Sequence, residues 1–478
     1  YLYNNTENVK KCEQWVNPLE KIPPSCIPTP VCCILGMPRT RYGKQKGYLP
    51  MRLGLTELLL ILLIALLAFG PGVSRWMNRW SRQAQAAHAE EARRRAAREA
   101  QRQARRAYIL HRFQIVAAVF AVATAVGLVY TLGLRPIEAE PRSYTLPAAA
   151  EQAAAHTVTE TAALPLEGYL APDGVAVRDG WLYMAARPAA GSGSALLRMR
   201  EDGSAQMAVL TEEGIITSFA FDPAGDIWYT LLTGTGGALC RASHDDWGAS
   251  VQQVVTQIDG RPLAYPAAVA AGPDGRIYFT EAADFTPRAG SLEDALRAEL
   301  MGHTATGWVY VYDPADRSVQ RVLGGLAGAS GLAVSPDGGT LYAADLGSRC
   351  IWAVDTGARE LTAGGRGCAL FAGQLPGYPG ALAAGPDGTV YVGYRWARAD
   401  WLESRAAEPG LRGIAARLPR SVQRRLFHAA SPLAQSYAPD GVLEEDYVSD
   451  GAEGWALAPS GNRLYLPGAG EGMTYFRF

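Results

Sequence analysis

Two carboxylates at matching places in the sequence, Asp173 and Glu453, could supply acid and base chemistry. Each lies two residues before the first apolar residue of a short recurring pattern, Asp173 in the first copy and Glu453 in the last. If these two copies are neighbours in space, two carboxylates in one partly buried site raise the pKa of one of them, and a general acid then lies beside a general base. The alternative is two solvated carboxylates at strand ends, since perturbed pairs also arise for structural reasons.

The recurring pattern consists of an alternating apolar strand, a tight turn with a glycine, and a second strand that carries an aromatic residue. Its six copies are residues 175–185, 219–231, 269–282, 332–345, 382–394 and 455–468. Paired short strands that repeat at a spacing of about fifty residues are typical of a β-propeller with one blade per repeat. The predicted fold class is therefore all-β, with a six-bladed β-propeller over residues 165–478. A generic β-sandwich is the alternative, although its hairpins would share no common motif.

The innermost strand of each blade lines the central tunnel of a propeller. The position held by Asp173 and Glu453 is held in the other four copies by Thr217, Ala267, Ser330 and Gly380. We expect these six residues to ring the tunnel mouth. Two insertions, residues 283–304 and 395–432, contain apolar-periodic helical pieces that could form a substrate lid, rest on a bilayer, or serve as a plain packed cover.

Charge divides the chain unevenly. The net charge of −1 combines a basic stretch at residues 51–140, which carries thirteen arginines and six acids, with an acidic remainder, 141–478, of net charge −12. An acidic propeller argues against nucleic acid as a partner.

Residues 1–50 have a different composition from the rest. All five lysines and four of the seven cysteines of the chain lie there, and the first residue is Tyr1. We interpret this stretch as a non-native or disordered leader joined to a protein that starts at Met51. A zinc or disulfide knot is the alternative, but the adjacent Cys32 and Cys33 do not fit a common zinc spacing.

Residues 51–140 predict an α-helical transmembrane hairpin with spans at 53–70 and 113–134. Eleven arginines between residues 75 and 112 place the connecting helix on the cytoplasmic side. Both chain ends then lie outside, so the predicted location is the cell membrane, multi-pass, with the propeller on the extracytoplasmic side. A cleavable signal peptide is the alternative for the first span, although its positive charges follow the apolar stretch. Residues 141–164 would form a linker and a closing strand.

Residues 53–71, LGLTELLLILLIALLAFGP, resemble the N-terminus of the small subunits of twin-arginine protein translocases. Those subunits have an outside N-terminus, a short span, a Phe-Gly-Pro hinge and an amphipathic helix. This chain departs from them after the hinge, because its next helix has little apolar face and a second apolar stretch follows. The resemblance suggests common descent, with a role in protein export as a distant alternative.

Four further stretches, in order, resemble the strictosidine-synthase-like branch of the SMP-30/gluconolactonase-type propellers. They are GRPL (260–263), IYFTEA with HTATGWVYVYDP (277–282 and 303–314), LPGYPGAL (375–382) and RADWLESRAAEPGLRGIAARLP (398–419). The resemblance implies a six-bladed propeller with a small-molecule pocket at the tunnel mouth, roofed by inserted helices. It also implies a glutamate late in the propeller for metal-free acid/base work, which corresponds to Glu453.

The hydrolases of that family hold calcium with a Glu, two Asn and an Asp. The matching positions here are Asp173, Ala267, Ser330 and Gly380, of which two carry no side-chain oxygen. Because hard cations need several oxygen ligands, we expect no bound metal and no cofactor.

The sequence thus predicts a membrane-anchored extracytoplasmic propeller that binds, and as an enzyme would convert, a small organic molecule at the tunnel mouth. Enzymatic action is left open; it would be strictosidine-synthase-like or lactonase/esterase-like. A non-catalytic propeller that binds a protein partner in the cell envelope is the alternative. The ligand, the oligomeric state and a Cys350–Cys368 disulfide are not fixed by the sequence.

Overall fold

The computed structural model describes residues 54–244, 250–285, 291–470 and 472–478. The chain divides into two compact units, Tyr1–Ile109 and Leu110–Phe478. The leader predicted at residues 1–50 lies outside the described residues.

The described chain begins with one long helix, α1 (Leu55–Val129), which ends in a π-helical turn, Tyr130–Leu134. The structure does not show the expected hairpin of spans 53–70 and 113–134, because the helix continues through residues 70–71 and the arginine-rich stretch. Proline removes one helical hydrogen bond without forcing a reversal, and the surrounding Ala, Leu, Arg and Glu favour helix strongly. One described helical segment, Ser74–Leu134, is long and apolar enough to cross a membrane, and a shorter apolar helix covers Leu55–Ala65.

Two short strands, β1 (His156–Val158) and β2 (Thr161–Leu164), precede the first blade. Each of the first three blades then has four antiparallel strands in chain order. Blade 1 contains β3 (Gly174–Arg178), β4 (Trp181–Ala186), β5 (Ser194–Arg200) and β6 (Met207–Glu212); blade 2 contains β7 (Ile215–Phe221), β8 (Ile227–Thr233), β9 (Gly236–Ala242) and β10 (Val251–Val255). A hairpin of β11 (Gln257–Ile258) and β12 (Arg261–Pro262) leads to blade 3, which contains β13 (Pro266–Ala271), β14 (Ile277–Glu281), β15 (Gly307–Asp313) and β16 (Ser318–Leu326).

The last three blades follow the same plan, and one short strand is added at the edge of blade 3 and another at the edge of blade 5. Blade 4 contains β17 (Ala329–Val334), β18 (Thr340–Asp345), β19 (Cys350–Asp355) and β21 (Cys368–Ala372), while the short β20 (Leu361–Thr362) joins the edge of blade 3. Blade 5 contains β22 (Gly377–Ala384), β23 (Val390–Ala397), β24 (Ala434–Tyr437) and β25 (Leu443–Tyr447), with β1 parallel at its edge. Blade 6 contains β26 (Ala458–Ser460), β27 (Arg463–Pro467), β28 (Met473–Arg477) and β2.

This arrangement confirms the six-bladed propeller, with one sequence repeat in each blade. The ring closes within blade 6, where β28 pairs antiparallel with β2 in the register Leu164 opposite Met473. Neighbouring blades bury their apolar faces against each other, as Tyr183 and Leu196 of blade 1 do with Tyr229 of blade 2. Each blade has two faces, and the two neighbouring blades in the ring cover them.

The two insertions fold into helices that together form the lid, defined as α2 (Leu292–Gly302), α3 (Asp400–Glu403), α4 (Pro409–Arg417), α5 (Arg420–Gln423) and the turn Arg424–Leu426. The Ser291 side chain caps α2 by accepting a hydrogen bond from the Asp294 backbone N–H at 3.2 Å. The lid shares one apolar cluster with the blades, in which Leu296 and Leu300 of α2 pack with Tyr378 and Trp396 of blade 5.

The cysteines of the described propeller, Cys240, Cys350 and Cys368, are free thiols. Strand pairing places Cys368 opposite Val354, four residues along the strand from Cys350. At about 3.3 Å per residue this separation exceeds the Cα distance that a disulfide allows. The structure therefore does not form the Cys350–Cys368 bridge.

Candidate functional site

The inner strands begin around a narrow central cavity of about 90 Å³. Its wall includes five of the six positions that the sequence singles out, namely Asp173, Thr217, Ala267, Ser330 and Gly380, and also Arg395 and Trp455. The sixth predicted residue, Glu453, is absent from this wall.

Blade 6 differs because its inner hairpin is shorter. In blade 2 five residues, 222–226, connect the first two strands, whereas in blade 6 only Gly461 and Asn462 do so. The sequence pattern therefore places the tunnel position of blade 6 two residues too early, and Trp455 takes the position expected for Glu453. The Trp455 indole N–H donates to the Pro172 carbonyl at 2.9 Å, which joins blade 6 to blade 1.

The structure does not bring Asp173 and Glu453 together as an acid and base. Glu453 is half-buried, its backbone N–H donates to the Pro467 carbonyl at 2.8 Å, and burial alone raises the pKa of its carboxyl. The charged groups that act on Asp173 are instead Arg187 and Arg395, with a weaker effect from Glu293.

A larger pocket of about 480 Å³ opens between blades 1 and 2 and the first turn of α2. It takes charged and hydroxyl side chains from both blades, from the lid and from blade 5. The polar lining consists of Asp173, Arg187, Glu213, Thr217, Thr233, Ser291, Glu293 and Arg395. Asp173, Thr217 and Arg395 belong to both cavities, so the pocket leads into the tunnel.

Asp173 is the carboxylate at this junction, with about a quarter of its side chain exposed. Arg187 Nε lies 3.0 Å from Asp173 Oδ2. Burial raises the pKa of Asp173, and Arg187 and Arg395 oppose that rise without cancelling it. The carboxyl can therefore hold or release a proton nearer to neutral pH than an ordinary Asp.

Arg395 is the cation beside it. Its Nε is buried without a hydrogen-bond partner, and burial lowers the pKa of its guanidinium. Gly380 provides the room for this side chain, because a Cβ there would lie 3.0 Å from Arg395 Cβ and 3.5 Å from Arg395 Nε. The guanidinium also lies 5.9 Å from the centre of the Trp396 ring. The Arg395 side chain thus occupies the part of the tunnel wall at which Gly380, on the inner strand of blade 5, has no side chain.

The two hydroxyls of the tunnel wall are already hydrogen-bonded between blades. Thr217 Oγ1 donates to the Pro266 carbonyl at 2.9 Å and lies 2.8 Å from Thr230 Oγ1. Ser330 Oγ donates to the Pro379 carbonyl at 2.7 Å. These side chains connect blade 2 to blade 3 and blade 4 to blade 5.

The donors present do not fit the calcium ion that the family resemblance implies. Calcium takes six to eight oxygen ligands. Ala267 and Gly380 offer no side-chain oxygen, Asp173 is paired with Arg187, and the Arg395 guanidinium adds positive charge. Among the residues that the structure describes, no three His, Cys, Asp or Glu side chains are grouped so that they could hold a metal.

Sequence reasoning missed Arg187, Glu293 and Arg395. A signal for Arg395 exists, since it is the one charged residue in the otherwise apolar and aromatic strand VYVGYRWA, β23. It lies near an inner-strand glycine, yet the pairing that brings the two together depends on bulges around Pro379, which no sequence pattern announces.

Comparisons with known proteins gave one family match and several similar solved structures. Residues 192–399 match the family model described as the SMP-30/Gluconolactonase/LRE-like region. Similar solved structures include a gluconolactonase from Xanthomonas campestris (18% identity, 68% of this chain and 98% of that chain, TM-score 0.44) and a luciferin-regenerating enzyme (14% identity, 67% and 96%, TM-score 0.45). A further one is the calcium-binding protein regucalcin from Agrobacterium tumefaciens (13% identity, 68% and 95%, TM-score 0.44). A comparison with curated proteins gave no match. The propeller thus contains an SMP-30/gluconolactonase-like region.

Proposed function

We propose that this SMP-30/gluconolactonase-like propeller binds a small organic carboxylate in the pocket of about 480 Å³. Arg395 would bond to the carboxylate, and calcium would take no part. One observation carries the proposal. The Arg395 Nε is a buried donor at the pocket wall with no acceptor. Such a donor costs free energy until an acceptor arrives, and a carboxylate is the acceptor that a guanidinium bonds most strongly.

The remaining lining supports a ligand of modest size with hydroxyl groups. A volume of about 480 Å³ lies in the range of small-molecule sites. Asp173 can accept from a ligand hydroxyl on the side facing Arg395, while Glu213 and Glu293 at the rim disfavour ligands with several negative charges. A monocarboxylate with a polyhydroxyl body meets both conditions.

The test is a thermal-shift and calorimetric titration of the full chain with gluconate, lactate and benzoate, and with glucose as the neutral control. We expect at least one carboxylate to bind and glucose not to bind. Arg395→Met should weaken that binding at least about tenfold, since a charge-assisted hydrogen bond is lost. The exposed Arg366→Met is the matched control and should bind as the wild type does. Failure of all three carboxylates, or equal binding by Arg395→Met, would refute the proposal.

Catalysis is a second candidate, which the raised pKa of Asp173 at the pocket favours. The activity would be strictosidine-synthase-like or lactonase/esterase-like, and Glu453 stays a predicted participant. Turnover of glucono-δ-lactone or an aryl ester that disappears in Asp173→Asn, with carboxylate binding retained, would support an enzyme. Absence of turnover in the wild type would favour a non-catalytic propeller that binds an envelope protein.

We also propose that α1 anchors the propeller in the cell membrane, with the propeller on the extracytoplasmic side. Support comes from apolar side chains such as Phe113, Phe120 and Val126, each more than 60% exposed, and from the arginine-rich stretch that precedes them. Descent from a translocase-like segment at residues 53–71 belongs to the same proposal. Protease added to spheroplasts should degrade the propeller. Degradation only after lysis would place the propeller inside and contradict this topology.

A further inference from the structure

The lid carries exposed apolar side chains next to arginines. Trp401, Leu411, Ile414 and Val422 are between 38% and 44% exposed; Arg405 lies between them in sequence, and Arg424 and Arg425 follow shortly after them. We call these seven residues the lid surface. From them we infer that the lid surface rests on anionic lipid headgroups, an inference that relies on the membrane anchoring proposed above.

The apolar exposure follows from the way α4 is packed. Its inner face buries Arg412 and Ala415, which are three residues apart. Leu411 and Ile414 are also three residues apart and lie on the neighbouring face, about 100° around the helix, where both are more than 40% exposed. An amphipathic helix whose apolar side chains face outward, with arginines close by, is typical of helices that lie in a membrane interface.

Charge favours lipid over a generic partner. Residues 395–432 contain eight arginines and three acids, for a net charge of +5 within a region, 141–478, whose total is −12. Without Arg395 at the pocket wall and the buried Arg412, six arginines and a net charge of +3 remain on this inserted segment. The Arg405 guanidinium lies 5.0 Å from the centre of the Trp401 ring, and such Trp and Arg pairs suit the headgroup level of a bilayer.

The lid surface is continuous with the end of the apolar helix. Arg135, the first residue after the π-helical turn, donates to the Arg417 carbonyl at 3.3 Å, and Arg417 Nε donates to the Arg135 carbonyl at 3.0 Å. Arg420 of α5 lies 3.5 Å from Glu138. The apolar segment ends at Leu134, which is where a membrane span would leave the bilayer. Because Arg135 follows directly and bonds to Arg417, the C-terminal end of α4 lies at about the same level.

Arg412, on the buried face of α4, holds the lid helices and the linker together. Its guanidinium donates to the Met301 carbonyl of α2 at 2.9 Å and to the Arg142 carbonyl of the linker. The lid and the linker are therefore held together, and the lid cannot turn away from the membrane end of the chain without breaking these bonds. A cavity of about 310 Å³ lies beside Trp401, and its charged lining combines Arg398, Arg425 and His428 with Asp400, which pairs with Arg398 at 2.7 Å.

The experiment compares hydrogen exchange of the full chain in nanodiscs of zwitterionic lipid with discs in which about a third of the lipid is anionic. We expect amides of residues 400–426 to exchange at least about fivefold more slowly in the anionic discs. The double variant Arg424→Gln/Arg425→Gln should lose this difference, and so should Leu411→Ser/Ile414→Ser. The control Val442→Ser removes an exposed apolar side chain outside the lid and should keep it.

Peptides from residues 113–134 separate the two proposals. If they are protected in every disc while residues 400–426 exchange equally in both lipids, the lid inference is overturned and the anchoring stands. If residues 113–134 are not protected in either lipid, the anchoring itself fails. Protection of 400–426 that persists in the Arg424→Gln/Arg425→Gln variant would also overturn the inference.

Discussion

The tunnel wall and the lid both bury polar groups, but these groups form their hydrogen bonds in different ways. In the wall, Thr217 and Ser330 donate to backbone carbonyls of the next blade, and Ala267 and Gly380 leave nothing to satisfy. In the lid, the buried hydrogen bonds are formed by ionisable side chains such as those of Glu299 and Arg412, which are fully buried. Neutral hydrogen bonds do not respond to pH, whereas buried ionisable groups do. The wall hydroxyls thus stabilise the ring equally at every pH, whereas Glu299 stabilises the lid in a pH-dependent way.

The lid's ionisable groups are each enclosed by specific partners. Glu299 accepts from Thr304 Oγ1 at 2.5 Å and from the Ala305 backbone N–H at 2.7 Å, and burial raises the pKa of this carboxyl to about 8. His303 stacks on Tyr144 with ring centres 3.6 Å apart, and burial together with Arg412 lowers the pKa of its imidazole to about 3.

The largest expected effect is that of Arg412→Met. The change leaves carbonyls of α2, of the turn between α3 and α4, and of the linker without their donor, so the free energy of unfolding should fall by about 3 kcal/mol or more. Urea unfolding gives the value, and limited proteolysis should cut near residues 400–426 first. The exposed Arg366→Met should change the free energy by less than about 0.5 kcal/mol. Equal effects would contradict the lid's dependence on Arg412.

Glu299→Gln should change the pH dependence of stability. The folded carboxyl keeps its proton up to about pH 8, while the unfolded one loses it near 4.5, so its contribution is full below 4.5 and disappears as the pH rises to 8. His303 acts in the opposite direction, with a contribution that is full above 6.5 and lost as the pH falls toward 3.

Between pH 6.5 and 8 only Glu299 of this pair titrates, and its contribution should fall by up to about 1.4 kcal/mol per pH unit. Urea unfolding across this range should show that slope in the wild type and in the exposed control Glu167→Gln, and a flatter profile in Glu299→Gln. An unchanged slope in Glu299→Gln would mean that another group is responsible.

Thr217→Val tests the wall at a smaller scale. Valine has the same shape but leaves the Pro266 carbonyl unpaired, which should cost about 1–2 kcal/mol at every pH. The exposed Thr157→Val serves as the control and should be close to neutral. A cost that varied with pH would remove the distinction between wall and lid.

Gly380→Ala should have the smallest effect on stability, below about 1 kcal/mol. The added Cβ would lie 3.0 Å from Arg395 Cβ, so the arginine must shift by a few tenths of an ångström. Carboxylate binding should weaken while the melting temperature hardly changes. Gly410→Ala, where a Cβ meets nothing within 4 Å, should leave binding intact. Loss of binding in both variants would point to a general effect.

Four ring positions of the wall and the helices of both insertions could be predicted from sequence, but the contacts that hold the lid could not, for a physical reason. The repeat occurs several times with the same spacing, so the positions of Thr217, Ala267, Ser330 and Gly380 follow from that shared spacing. The same logic failed for Glu453, because a hairpin of two connecting residues in blade 6 carries its glycine at a different place from the five-residue connection in blade 2.

The lid's contacts arise once only and between distant segments. Arg412 bonds to Arg142, 270 residues earlier, and Arg395 meets Gly380 through an irregular pairing. Neither contact has a local pattern. Likewise, two apolar stretches separated by arginines predicted a hairpin, but the strong helix formers between them continue as one helix.

Blade 6 takes three strands from the end of the chain and its fourth from the beginning, since β28 pairs with β2. Its last strand, Met473–Arg477, is therefore synthesised about 310 residues after its partner Thr161–Leu164. During all of that synthesis the partner strand has an unsatisfied edge, and contacts so far apart in sequence form slowly. Because blade 6 needs Met473–Arg477, the ring closes only after this strand has been synthesised, whatever the order in which the other blades fold.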